Sequence, residues 1–329
     1  MEYKNIGKSR FEVSNMCLGT WGFGRMRRGE LEIDREGANL LLEESLELGI
    51  NFIDTANVYG RPDRKSERYI GDWLIEQDRK EVVIASKVGR EIGSDFTQSG
   101  LNREHIKEQI QETLRTLKTD YIDIYYIHRW DEEVSTYEAL SIFDELIDNG
   151  EIDQIGVSTV TDLKMSEILE TCENHGFEFV TVAQPPLDIT HINASRYPGF
   201  DLNKYLELCA YNNLTVCAYS PLAGGFLTGK YTQNDSPIGS RRDQEGGEFD
   251  DKYISNDAWK ILRSVESIAR EMGATTAQVA LKLLMDESGF VTIPIIGVRS
   301  VEQLRENVKA TEIEIDEVYR NEIYKILKQ

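Results

Sequence analysis

Val82-Val83-Ile84-Ala85-Ser86-Lys87 is a run of small and β-branched residues that closes on a lysine. Asn51-Phe52-Ile53-Asp54 repeats the pattern with an aspartate at its end, and Tyr121-Ile122-Asp123-Ile124-Tyr125-Tyr126-Ile127-His128 repeats it with a histidine. Short runs rich in Val, Ile and Tyr read as buried strands. A polar, titratable side chain at the C-terminal tip of successive buried strands is how a (β/α)8 barrel builds an active site, because the loops after all its strands open on one face. Tyr59 follows Asp54 by five residues and joins the same mouth.

Outward from these runs, strands alternate with helical periodicity along nearly the whole chain, the pattern of repeated βα units. Residues 3–13 read as a small hairpin turning near Gly7-Lys8, and residues 14–18 as the first strand. A helix is expected over 35–48, closed by Gly49, and another starting near Ser66 as its N-cap. Helices follow at 103–117 and 136–149. Later strands end at Ser158, Gln184 and Tyr219, and the last covers 290–294. Residues 231–255 hold few apolar side chains and the Gly246-Gly247 pair, and read as a long loop of the kind that forms lids. Helices at 257–272, 275–286, 301–310 and 317–327 complete the chain. The expected fold is an α/β (β/α)8 TIM barrel with an N-terminal β-hairpin and extra helices near the C-terminus, one domain over residues 1–329.

A net charge of −21 opposes nucleic acid and anionic membrane surfaces as partners, since phosphate binding needs a basic face. The start Met1-Glu2-Tyr3-Lys4-Asn5 lacks a signal-peptide core, so a cytoplasmic protein is expected. Cys17, Cys172, Cys209 and Cys217 form no CxxC pair and have no zinc-like spacing to histidines, so reduced thiols and no metal are expected.

Singly, Asp54 could cap a turn, Tyr59 could pack, Lys87 could be a surface lysine and His128 a satisfied histidine. Together at adjacent strand mouths they suit carbonyl reduction. Adding hydride to a carbonyl puts negative charge on its oxygen, which must be stabilised and protonated. A tyrosine can give the proton, but its ordinary pKa is about 10. A nearby Lys⁺ favours the phenolate and should lower that value, and Asp54 would keep the lysine charged. His128 can hydrogen-bond the carbonyl oxygen.

These residues resemble a known signature set. Asn51-Phe52-Ile53-Asp54-Thr55-Ala56 with Tyr59-Gly60, Ser66-Glu67 and Gly71, then Ser86-Lys87 and Ile127-His128-Arg129, are similar to the aldo-keto reductase family. So are Ala218-Tyr219-Ser220-Pro221-Leu222 running into Gly225-Phe226-Leu227-Thr228-Gly229-Lys230, and Gly297-Val298-Arg299-Ser300 with Gln303-Leu304 and Glu306-Asn307. The resemblance implies a barrel that binds NADP(H) without a Rossmann motif, with Tyr59 as acid, Lys87 and Asp54 tuning it, and His128 placing the carbonyl. It also implies that Thr20, Trp21 and Asp54 border the cofactor, that Ser158 and Gln184 hold the nicotinamide amide, and that Tyr219 stacks on its ring. Ser220, Leu222, Gly225 and Lys230 would line the pyrophosphate, Gly297 would lie at the adenosine end of the site, Arg299 would meet the 2′-phosphate, and Gln303 and Asn307 the adenine. Two positions depart from the family's pattern: Thr159 stands where many relatives have Asn, and Pro185-Pro186-Leu187-Asp188 replaces an aromatic-polar step.

Trp21, Phe23 and Trp130 are expected to line an apolar pocket for a small carbonyl substrate. Arg25, Arg27 and Arg28, in the same loop as Trp21, read as a solvated stretch. Two alternatives remain in view: a barrel enzyme that forms a Schiff base on Lys87, and a non-catalytic, cofactor-binding regulator like the β-subunits of potassium channels. Those subunits carry an extended N-terminal segment, which is not expected ahead of Met1 here.

Overall fold

Alternation along each strand decides what the barrel encloses. The computed structural model describes residues 1–7, 12–92, 99–195, 197–286 and 290–327. Its eight barrel strands are β1 (Cys17–Gly19), β2 (Phe52–Asp54), β3 (Val83–Val88), β4 (Ile122–Ile127), β5 (Ile152–Ser158), β6 (Val180–Gln184), β7 (Thr215–Tyr219) and β8 (Thr292–Ile296). All pair in parallel, and β5 closes on β6. Cys17, Phe52, Val83, Ala85, Ile124, Tyr126, Val182, Cys217, Ile293 and Ile295 form one buried cluster that fills the interior. The intervening residues, such as Ile53, Ile84, Tyr125 and Ile127, pack outward in a second cluster that includes the helices. Gly156 of β5 is needed in the interior, because a Cβ would lie 2.4 Å from the Tyr126 ring.

The helices match their apolar spacing. Arg35–Glu47, Arg103–Leu117, Thr136–Asp148, Asn256–Met272, Thr276–Met285, Val301–Val308 and Glu317–Leu327 lie within about two residues of the sequence expectation, and Asp162–His175 and Leu202–Tyr211 stand between them in the chain. Several begin at side-chain caps; Asn102 accepts the His105 N–H at 2.9 Å.

Five local expectations are corrected. Ser66 does not cap its helix, Lys65–Leu74, which starts after Arg64 in a left-handed conformation. Its hydroxyl instead meets those of Thr20 at 2.7 Å and Thr55 at 2.8 Å, tying the loop after β1 to the loop after β2. Residues 12–14 belong to the N-terminal hairpin, Tyr3–Asn5 with Glu12–Ser14, and β1 begins only at Cys17. The proposed turn there includes Lys8, which lies outside the described residues. β8 runs two residues later than expected. The presumed lid contains short helices, Arg241–Glu245 and Gly247–Tyr253, held by the packed rings of Tyr231, Phe249 and Tyr253. Finally, the arginine-rich loop is a second hairpin, Met26–Arg27 with Glu30–Leu31, turning through Arg28 and Gly29, both at positive φ.

Among the described residues no helix is long and apolar enough to cross a membrane, and no group of three or more His, Cys, Asp or Glu is placed to hold a metal.

Candidate active site

The strand alternation that fills the barrel also delivers its mouth. Two residues beyond an interior side chain, the next inward position reaches the C-terminal rim: Phe52 leads to Asp54, Ala85 to Lys87, Tyr126 to His128, Val182 to Gln184 and Cys217 to Tyr219. Asp54, Lys87, His128 and Gln184 are all buried, while part of the Tyr59 surface opens on the cleft.

Lys87 Nζ lies 2.5 Å from Asp54 Oδ1, donates to the Thr55 carbonyl at 2.7 Å, and stands 3.5 Å from the Tyr59 hydroxyl. Burial alone would drive the Lys87 pKa down; Asp54, and then Tyr59, outweigh it and leave it raised, so the ammonium stays charged. At Tyr59 burial raises the pKa and Lys87 only partly offsets it, so the net direction is upward. This reverses the lowering expected from charge proximity alone, because desolvation of the phenolate is the larger effect. Tyr59 is thus a fully protonated donor at neutral pH. His128 stands edge-on to the Tyr59 ring, centroids 6.0 Å apart. Burial, and then the positive charge of Lys87, hold its pKa well below the usual imidazole value, so it is neutral. Its Nδ1 is buried with no partner among the described residues.

On the other side of the mouth, Gln184 Nε2 donates to Asp54 Oδ2 at 2.8 Å, and Ser158 Oγ donates to the Gln184 carbonyl at 3.1 Å. Tyr219 is partly exposed, and its hydroxyl lies 2.8 Å from that of Tyr197, a contact the sequence did not suggest. Thr159 has φ +53°, a conformation costly for a β-branched residue and easier for Asn. A cavity of about 80 Å³ opens beside it, lined by Thr159, Val160, Thr161, Pro186, Tyr197, Pro198 and Phe200.

After β7, Ser220, Ala223, Gly224 and Gly225 all adopt positive φ, so the chain from Ser220 past Leu222 winds tightly over the mouth. A Cβ on Gly225 would sit 2.8 Å from Lys230 Nζ, which places that ammonium against the loop backbone. Beyond β8, Gly297 and Arg299 are exposed. The Arg299 N–H donates to Gln303 Oε1 at 2.9 Å at the start of helix Val301–Val308, and Asn307 is buried in that helix. Glycine-rich backbone, a helix N-terminus and the cations Lys230 and Arg299 make a set that suits a phosphorylated nucleotide.

The expected pocket residues divide. Trp21 is 43 % exposed, with the Arg25 guanidinium 3.5 Å from its ring centroid and Arg241 at 5.5 Å. Trp130 is half-buried beneath Lys164, 4.9 Å away. Phe23 is turned into the core at 1 % exposure and offers no surface to a ligand, because residues 20–23 form a tight turn closed by the Phe23 N–H on the Thr20 carbonyl. Thr20 is likewise buried, its hydroxyl bonded to the Asp54 carbonyl at 2.9 Å. Arg25 and Arg27 are not simply solvated: both pair with Glu32. The reading from sequence missed Glu32, Arg241 and Tyr197; only the Ser240-Arg241-Arg242 step in an otherwise acidic stretch hinted at one of them.

A family model described as Aldo/keto reductase family matches residues 15–328. Among curated proteins, the chain is 30 % identical over 324 residues to uncharacterized oxidoreductase YrpG of Bacillus subtilis, covering 96 % of this chain and 93 % of that one. It is 29 % identical over 317 residues to L-glyceraldehyde 3-phosphate reductase of Escherichia coli, with 94 % and 87 % covered. It is also 28 % identical over 321 residues to a probable voltage-gated potassium channel subunit beta of Arabidopsis thaliana, with 95 % and 92 % covered. A crystal structure of the thermostable aldo-keto reductase Tm1743 with the inhibitor epalrestat is similar at a TM-score of 0.76 and 30 % identity, over 99 % of this chain and 100 % of that one.

Proposed function

The chain belongs to the aldo/keto reductase family, and on that premise we propose that it is an NADP(H)-dependent carbonyl reductase with Tyr59 as general acid. The reading rests on one arrangement: a Tyr59 hydroxyl 3.5 Å from an ammonium that is itself fixed 2.5 Å from Asp54. In this reading the domain spans the whole chain and acts in the cytoplasm on a small aldehyde or ketone.

When bound, the cofactor supplies the hydride. Ser158 and Gln184 hold its nicotinamide amide and Tyr219 backs the ring, with Trp21 bordering it. Ser220, Leu222, Gly225 and Lys230 meet the pyrophosphate, Arg299 the 2′-phosphate, and Gly297, Gln303 and Asn307 the adenosine. Neutral His128 donates to the substrate carbonyl and fixes its oxygen near Tyr59. As charge develops on that oxygen, Tyr59 gives up its proton, and the adjacent Lys87 ammonium stabilises the phenolate left behind. Asp54 keeps Lys87 charged without reaching the substrate. The test is NADPH oxidation across aldehydes, ketones and sugars, which should show turnover for at least one class.

The similarity to potassium channel β subunits favours a second reading, a cofactor-binding regulator without a substrate of its own. Tight NADP(H) binding with no turnover on any carbonyl would favour it. Borohydride trapping of a carbonyl on Lys87 would instead mark a Schiff-base enzyme; the Asp54 pair argues against that, since it holds the amine protonated.

A further inference from the structure

The carboxylate of Glu32 gathers three arginines. Oε2 lies 3.2 Å from Arg25 Nη1, while Oε1 lies 2.9 Å from Arg27 Nη1 and 2.9 Å from Arg299 Nε. Three guanidinium groups on one carboxylate leave two positive charges in excess, in a chain whose net charge is −21. Glu32 is nearly buried and Arg27 mostly so, whereas Arg299 keeps about half its surface open. Arg299 meets Glu32 through Nε, and about half of its side chain stays exposed to a ligand, a planar fork well suited to phosphate. Lys230 stands nearby against Gly225 and makes no ion pair among the described residues; after burial, Arg299 and Arg27 are what lower its pKa.

The second hairpin, Met26–Arg27 with Glu30–Leu31, puts Arg27 into this cluster, and its turn residue Arg28 reaches Asp243 of the segment after β7 at 3.8 Å. The hairpin therefore bridges the Arg299 end of the mouth and the covering segment. A carboxylate held by converging arginines occupies the place that a phosphate dianion would fill with more charge and more acceptors.

We propose that this hairpin is a second phosphate-binding element: Arg27 joins Arg299 on the 2′-phosphate of the dinucleotide, and Glu32 is the resident counter-ion which that phosphate displaces from Arg299. The inference rests on the NADP(H) reading of the same cleft and adds to it a residue pair of opposite sign. Arg27 raises the preference for a 2′-phosphorylated nucleotide; Glu32 lowers affinity for it and so eases its release.

Calorimetric titration of the apoprotein and its variants with adenosine 2′,5′-bisphosphate and with adenosine 5′-monophosphate tests this without turnover. Arg27→Gln should weaken the bisphosphate by about tenfold, the scale of one charge-assisted hydrogen bond, and shift the monophosphate by less than about twofold. Glu32→Gln should tighten the bisphosphate by about threefold or more, again sparing the monophosphate. If Glu32 only clamped the hairpin, both variants would move the ratio in the same direction or leave it unchanged, and either result overturns the proposal. A wild-type protein that prefers the bisphosphate but shows unchanged selectivity in both variants removes the hairpin's role alone. A wild type that binds neither nucleotide removes the cofactor reading as well.

Discussion

The side-chain amide of Gln184 donates to Asp54 Oδ2 at 2.8 Å, so that β6 and β2 meet across the barrel mouth. The other carboxylate oxygen of Asp54 carries Lys87, and both groups are buried. Removing one partner of such a pair strands the other charge in a low-dielectric site. Asp54→Asn is expected to destabilise the fold by about 3–5 kcal/mol near neutral pH. Adding Lys87→Met should recover part of that loss. Chemical denaturation of the single and double variants checks it; equal stability of wild type and Asp54→Asn would contradict a tightly coupled pair.

The pH profile follows from two directions of shift. Reduction needs Tyr59 protonated, and its pKa is raised above the ordinary value, so the acid form persists through neutral and mildly basic pH. Reduction also needs His128 neutral as a donor, and its pKa lies well below the ordinary value. The kcat/KM for reduction should therefore be flat from about pH 6 to pH 9 and fall only above about pH 10, while alcohol oxidation rises with pH. A fall in reduction with a midpoint near 7 would mean that His128 titrates in the working range.

Thr159 holds a left-handed backbone that Asn tolerates better. Thr159→Asn should raise stability by about 1 kcal/mol by relieving that strain. It also restores an amide beside Ser158, and NADP(H) should bind several-fold tighter. Thermal unfolding with a cofactor titration separates the two effects, and a variant no better in either would show that the site accommodates Thr159 without cost.

Asp188 is the other departure. Its Oδ1 accepts the Thr190 N–H at 2.8 Å, while Oδ2 is buried without a partner among the described residues, and burial pushes its pKa up to about 6. An acid that holds its proton more tightly when folded costs stability as pH rises from its unfolded pKa of about 4 to its folded value, and the penalty stays complete above that. Asp188→Asn should therefore exceed wild type by about 1–3 kcal/mol at pH 7.5, with the gain vanishing near pH 4. A gain independent of pH would point to packing instead.

Much of the mouth was legible because one rule generates it: the inward alternation of a strand carries through to the C-terminal end of its apolar run. Asp54, Lys87, His128, Gln184 and Tyr219 all follow from it. Phe23 was misread because a loop aromatic near a site looks the same in sequence whether it faces the cleft or, as here, the core. The Glu32 cluster was invisible for a different reason. Its members are brought together by barrel closure, with Arg299 far along the chain from Glu32, and the loop's Arg25 and Arg27 look solvated until their carboxylate is located. The segment after β7 looked structureless because its packed rings, Tyr231, Phe249 and Tyr253, are too few to show a period.

The central claim is that Tyr59 delivers the proton. Tyr59→Phe removes the hydroxyl beside Lys87 and little else, so NADPH binding, followed by fluorescence titration, should stay within about twofold of wild type. Its turnover on any carbonyl that the wild type reduces should fall by about 10²–10⁴-fold, the contribution of a positioned acid. Binding preserved with turnover lost is the predicted result. Turnover within a few-fold of wild type in the phenylalanine variant would contradict the account.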